Sequence, residues 1–319
     1  MSGKISRFAD DGWAVWIEGD DTSTFYLDEW VNPNGKSYVD VAVNIRDIDD
    51  THGIFVYVPF PVEKDEIEDI STNLGDPNIF HAVFSSTGMV DLWKNRCTSA
   101  IAYHGRVVDL VHISELEVGV RRVSSGTLIS LSIDDFAECL DGDEIYIFFR
   151  IPHKSLDEVF VPAASAASLL TRLKSLFVSP IVLERYGCSV RVNEVRMLPP
   201  EIAKTGMLHR QKLNLASVSI HLKEDYQIRD ANCHRVHRLE KDLYRDHAPQ
   251  GFDLDDVIVY HWQQAREINL RGCFNFYFDI HREKVSGGSI LIYSLALLAM
   301  GIVGNAVYDG LVYLLKTML

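Results

Sequence analysis

ILIYSLALLAMGIVGNAVY, residues 290–308, carries no formal charge over 19 residues. At the helical rise it spans about 28 Å, one bilayer hydrocarbon core. Nine of its residues are Leu, Ile or Val. On the insertion scale they contribute about -4 kcal/mol, partly offset by Asn305 and the two glycines. A core helix normally keeps a polar face, and this run shows none before Asn305. The run therefore predicts a transmembrane helix in a membrane segment, 286–319, that tethers everything before it.

The flanks of the run set its direction. Arg282 and Lys284 precede it and only Lys316 follows it. This bias places the body in the cytoplasm and the chain end within or across the membrane. Gly301, Gly304, Asn305 and Asp309 fall on neighbouring helical positions, and residues 310–315 (GLVYLL) are apolar again. Small residues allow close helix approach, and a polar residue in a bilayer prefers a protein partner. Self-association through these four residues is expected. The alternative places Asp309 at the far interface, with residues 311–319 lying along it.

Upstream, the pattern is mostly strand. In residues 38–45, Val39, Val41, Val43 and Ile45 alternate with Asp40 and Asn44, the period of a strand. Residues 54–58 form a second strand, stopped by Pro59 and Pro61. Ile67, Ile70 and Leu74 have helical spacing, so a short helix is expected over 63–74. Further strands are read at 79–84, 100–103, 106–113, 127–133 and 145–151, the last ending at Pro152. Residues 163–177 read as a helix. Residues 181–197, 216–222, 257–262 and 272–282 read as strands, with short helices at 199–209 and 239–244. The fold class is α+β: a β-rich cytoplasmic body of two domains, 1–155 and 156–285, followed by the membrane helix.

One pattern recurs. VAVNIRDI (41–48) then IFVYVPFP (54–61) is echoed by ISLSIDDF (129–136) then IYIFFRIP (145–152). It reads as an internal duplication or as convergence of two strand–turn–strand units.

Charge narrows the partners. The net charge is -14, from 45 acidic and 31 basic residues. Residues 1–80 hold 17 of the acidic and 5 of the basic ones. That part should repel nucleic acid and anionic lipid, and it also serves solubility. Direct nucleic-acid binding is expected to be weak or absent. Five scattered cysteines fit a reducing compartment. The opening residues lack an apolar stretch, so no secretory signal is read there.

Chemistry-bearing motifs are sparse. Cys233, His234, His237 and His247 are zinc-type residues, but no CxxC pair accompanies them, and they read as incidental. Residues 222–247 hold six basic and six acidic residues, which is no nucleic-acid stripe. Within them Arg229, Arg235 and Arg238 are candidates for contact with phosphate or an acidic partner. Asp253, Asp255 and Asp256 read as turn residues rather than magnesium ligands. There is no Walker A loop, GxGxxG, HExxH or GxSxG. No catalytic residue, cofactor or metal is expected.

The phrases Val43-Asn44-Ile45, Phe55-Val56-Tyr57-Val58-Pro59-Phe60, Ile67-Glu68-Asp69-Ile70 and Val259-Tyr260-His261-Trp262, set before a terminal hydrophobic helix, give the chain a layout that resembles membrane effectors of bacterial anti-phage systems. Retron-associated transmembrane effectors are the type it is most similar to. The resemblance lies in the layout, not in a catalytic motif. It implies an effector held dormant by a reverse transcriptase and its RNA–DNA product. Release would let the helix cluster in the inner membrane and disrupt it. Effectors of that type carry two membrane helices, whereas this chain offers one span and a tail. A tail-anchored binding or scaffold protein that recruits a partner to the inner membrane is the other function class.

Overall fold

The computed structural model describes residues 12–19, 22–32, 36–46, 51–76, 79–80, 92–94, 98–103, 106–134, 140, 142, 144–153, 161–162, 181–206, 208, 212–229, 233–265, 273–285 and 287–318. Among these the chain is α+β, with mixed sheets, a few short helices and one long terminal helix. The strands are β1 (Gly12–Glu18), β2 (Thr22–Trp30), β3 (Ser37–Arg46), β4 (Gly53–Val58), β5 (Glu68–Asp69), β6 (Leu92–Lys94), β7 (Thr98–Tyr103), β8 (Arg106–Val111) and β9 (Val118–Val123). They continue with β10 (Gly126–Ser132), β11 (Glu144–His153), β12 (Val161–Pro162), β13 (Ile181–Val192), β14 (Lys212–Lys223), β15 (Tyr226–Arg229), β16 (Arg235–Arg238), β17 (Val257–Ala265) and β18 (Phe274–Val285). The helices are α1 (Pro200–Ala203), α2 (Lys241–Tyr244) and α3 (Gly287–Met318).

The chain divides into two compact units. One holds residues 1–159, 188–224 and 230–278; the other holds 160–187, 225–229 and 279–319. The boundaries expected at 155 and 285 follow the chain, and the compact units do not. The reason is a parallel pairing: β14 lies beside β2, with Ala216 opposite Phe25 and Ile220 opposite Glu29. Residues from both sides of position 155 thus share one sheet.

In the first unit that sheet runs β16-β17-β14-β2-β3-β11-β8-β7-β6, with β5 also on β11. Val39, Val41, Val43 and Ile45 of β3 are buried as their alternation predicts, and so are Asp40 and Ala42 on its other face. A strand buried on both faces reads as a nearly continuous apolar run. Ile70, Leu74, Ile79 and Phe80 cover one stretch of the sheet, packing with Ala42, Leu110, Tyr146 and Phe148. Leu239, Tyr244, Ala248, Phe252 and Leu254 cover another, around Trp30, Val257 and Val259. A second set of strands in this unit joins the end of β13 to β1, β4, β10 and β9. Leu198, Ile202 and Leu208 cap its Ala14, Trp16, Tyr57 and Leu128. Asn193 ends β13 with φ +57. Its amide extends the ladder, accepting from Val15 N (2.8 Å) and donating to Val15 O (3.0 Å).

The recurring pattern has a pairing counterpart. The first strand of each copy lies antiparallel to the second strand of the other: β3 with β11, and β10 with β4.

In the other unit, β15 pairs with β18 from Tyr226↔Arg282 to Arg229↔Asp279. β12 pairs with β13 at Gly187 and Tyr186. α3 completes this unit.

Several expectations change. Residues 63–74 are not one helix: a 3-10 turn at Lys64–Glu66 and another at Ser71–Gly75 flank β5. Tertiary pairing prevails there. Asp69 sits opposite Phe149 in β11, Ile70 N donates to Phe148 O, and the Asp69 carboxylate accepts from Ser71 N and Oγ. Ile79 and Phe80 are helical rather than strand, and residues 81–84 lie outside the described residues. So does the helix expected at 163–177. β13 stops at Val192 rather than Met197, where the Asn193 turn and a 3-10 turn intervene. β15 and β16 are strands that no expectation covered.

Candidate functional site

α3 is built from Leu, Ile, Ala and Met, good helix formers, and continues without a break for 32 residues. Its stretch Ile290–Thr317 is long and apolar enough to cross a membrane, and none of it is buried against the rest of the protein. Leu298, Ile302 and Val303 are 64%, 63% and 61% exposed. Leaving such side chains in water forfeits about 1.5–3 kcal/mol apiece relative to an apolar surrounding. Thr317 Oγ1 donates to Tyr313 O (3.1 Å) and Leu314 O (2.9 Å). Gly301, Gly304, Asn305 and Asp309 are all exposed. At about 100° per residue they share an arc of about 140°. A Cβ placed on Gly301, Gly304 or Gly310 would meet open space, so the backbone there is free for close approach by another helix.

The three arginines are differently placed. Arg229 belongs to β15 and the unit that carries α3. Arg235 and Arg238 lie on β16, at the edge of the large sheet. Arg238 pairs with Glu224 (2.7 Å) and Asp256 (3.6 Å). Lys223 pairs with Asp253 (2.6 Å) and Lys241 with Asp255 (2.8 Å). The acidic knot at 253–256 is thus a turn bound to cations of neighbouring segments. Asp253 also accepts from Asp255 N (3.0 Å), and Asp256 has φ +53. Among the described residues no three His, Cys, Asp or Glu side chains are grouped to hold a metal ion. The Cys233 thiol donates to the carbonyls of Arg235 and His261.

His247 leads to a cluster the sequence reading missed. The Asp40 side chain is fully buried and that of Arg150 is 3% exposed; Arg150 Nε and Nη2 donate to Asp40 Oδ1 and Oδ2 at 2.6 and 2.7 Å. Trp30 Nε1 donates to Asp40 Oδ2 (2.8 Å), and Arg150 Nη2 also donates to His247 O (2.8 Å). His221 stacks on Trp30 at 3.9 Å. Strand register explains the grouping. Arg150 lies opposite Asp40, Asp40 opposite Asp28, Asp28 opposite Ser219, and Ser219 opposite His261. Directly opposed residues point to one face of a sheet, so these five form a polar row across β11, β3, β2, β14 and β17.

Burial tunes the row. Asp28 is raised to about 6, chiefly by burial and further by Asp40, while a hydrogen bond from Ser219 and the Arg150 charge pull it down. His261 is lowered by burial and then by His234, His237 and Arg235. Ser219 Oγ lies 3.0 Å from His261 Nδ1. Ser219 thus stands between Asp28 and His261 in the row. Burial lowers His221 to about 3 and His247 to about 4, so both are neutral near pH 7. The signal for this cluster was present in the sequence: single charges, Asp40 and Arg150, inside otherwise apolar strands. A buried charge requires an opposite partner, but which one is a matter of register.

Set beside known proteins, the sequence matches no protein-family model and no curated protein.

Proposed function

We propose that the protein is a membrane-anchored effector of bacterial anti-phage defence. Its β-rich body lies in the cytoplasm, and its terminal helix self-associates in the inner membrane and disrupts it once the body is released. The observation that carries the membrane part is α3: its predominantly apolar 28-residue stretch, Ile290–Thr317, has none of its residues buried. Self-association draws on the open backbone at Gly301 and Gly304 and on Asn305 and Asp309 beside them. The defence part draws on the resemblance in layout to retron-associated effectors. In that setting the partners are a reverse transcriptase and its RNA–DNA product.

Expression in bacteria of the full chain and of a chain lacking residues 286–319, with a membrane-potential dye, tests this reading. The full chain, produced without partners, should depolarise the cells and arrest growth, and the shortened chain should do neither. Unchanged potential with the full chain would count against a disruptive role. A full chain that stays in membranes without toxicity would point to a tail-anchored scaffold instead. Co-purification of an RNA–DNA hybrid with the body would support the retron partner.

A further inference from the structure

The apolar stretch of α3 exceeds one bilayer core. Its 28 residues lie in one unbroken helix that runs through Asp309 and Gly310 to Met318. At the helical rise they extend about 42 Å, against a hydrocarbon core of about 30 Å. Two 19-residue windows, 290–308 and 297–315, fit that core. Each contains nine Leu, Ile and Val residues, so apolar transfer does not choose between them. The windows are seven residues apart, about 10 Å along the axis. Two turns bring the helix back to nearly the same face, offset by about 20°. Asp309 is the difference. In the first window it lies one residue past the far boundary. In the second it lies about 9 Å inside the hydrocarbon, where a carboxylate is costly.

We infer that α3 has two membrane registers seven residues apart, and that the Asp309 carboxylate selects the first by staying at the far headgroup level. This rests on the membrane reading proposed above. In the first register Leu311, Leu314 and Leu315 lie beyond the hydrocarbon core. In the second they enter it, Lys316 takes the far headgroup position, and residues 290–296 emerge on the side of the body. Only Ser286 separates β18 from α3 in the chain, so the shift is carried directly into β18. A partner that pulls on the body thereby has a second helix position of equal apolar content to pull towards.

The test uses full-length protein in the membranes of spheroplasts and a membrane-impermeant maleimide added outside. The five native cysteines all precede α3 and stay with the body on the other side. Leu311→Cys and Leu314→Cys should each be labelled. Adding Asp309→Leu should lower their labelling about two- to threefold, because the cost of the second register is removed and its window gains one leucine. Asp309→Glu should preserve labelling. Equal labelling with and without Asp309→Leu, or no labelling of either cysteine beside Asp309, would overturn the two registers and leave the membrane reading standing. Recovery of the full-length chain in the carbonate supernatant would overturn both.

Discussion

Asp40 and Arg150 face each other across β3 and β11, both out of reach of water. Such a pair adds little net stability over apolar residues, but removing one partner strands the other. Arg150→Met is expected to cost about 3–5 kcal/mol, because the Asp40 carboxyl then stays buried without its cation. Thermal melts of the single variant and of the double variant with Asp40→Leu check this, and the double variant should regain much of the loss. Glu29 sets a pH dependence. Burial alone raises its carboxyl from 4.5 to about 8. The folded state then holds a proton that the unfolded state gives up above pH 4.5, so stability falls as pH rises from about 4.5 to 8. The whole effect is at most about 5 kcal/mol. His221 and His247 act in the opposite sense. With folded values of about 3 and 4, they remove stability as pH falls below about 6.5. Glu29→Gln should flatten the decline between pH 5 and 8 in pH-dependent melts. A decline as steep as in the unaltered protein would refute the assignment.

Among the elements, α3 and residues 63–74 show opposite outcomes. α3 is helical by composition alone and needs no neighbour to satisfy its backbone, which is what a bilayer demands. Val303→Arg, near the middle of the apolar stretch, should cost about 2.5–3.5 kcal/mol of insertion and move much of the chain into the carbonate supernatant. Gly301→Ile with Gly304→Ile should leave insertion intact and reduce crosslinking between copies, because the added side chains fill the space a second helix would use. Residues 63–74 have helical spacing too, yet Glu68 and Asp69 are taken by β11. A short segment gains more from sheet pairing and from the Asp69 bonds to Ser71 than from a further helical turn.

Over the whole molecule, the parallel pairing of β2 with β14 joins distant parts of the chain into one sheet. Residues 1–155 expressed alone should therefore expose the β2 edge and aggregate. Size-exclusion chromatography that finds a folded monomer would contradict this. Removing 286–319 should free the body from membranes, since none of the α3 apolar stretch is buried against the rest of the protein.

Elements with strong local periodicity were legible in the residues alone. α3, β3, β4, β11 and the alternating β18 were legible because their residues state a burial pattern without reference to a partner. The apolar strands also told the α+β class. What depends on register emerged from the fold. The row of Arg150, Asp40, Asp28, Ser219 and His261 draws on residues as much as 233 positions apart, aligned because β2 pairs with both β3 and β14. Pairing of this kind is set by long-range packing of faces, and no local spacing encodes it. The terminal helix could be read from its own residues because a bilayer asks only for length and apolarity. The polar row could not, because a buried charge needs a specific neighbour.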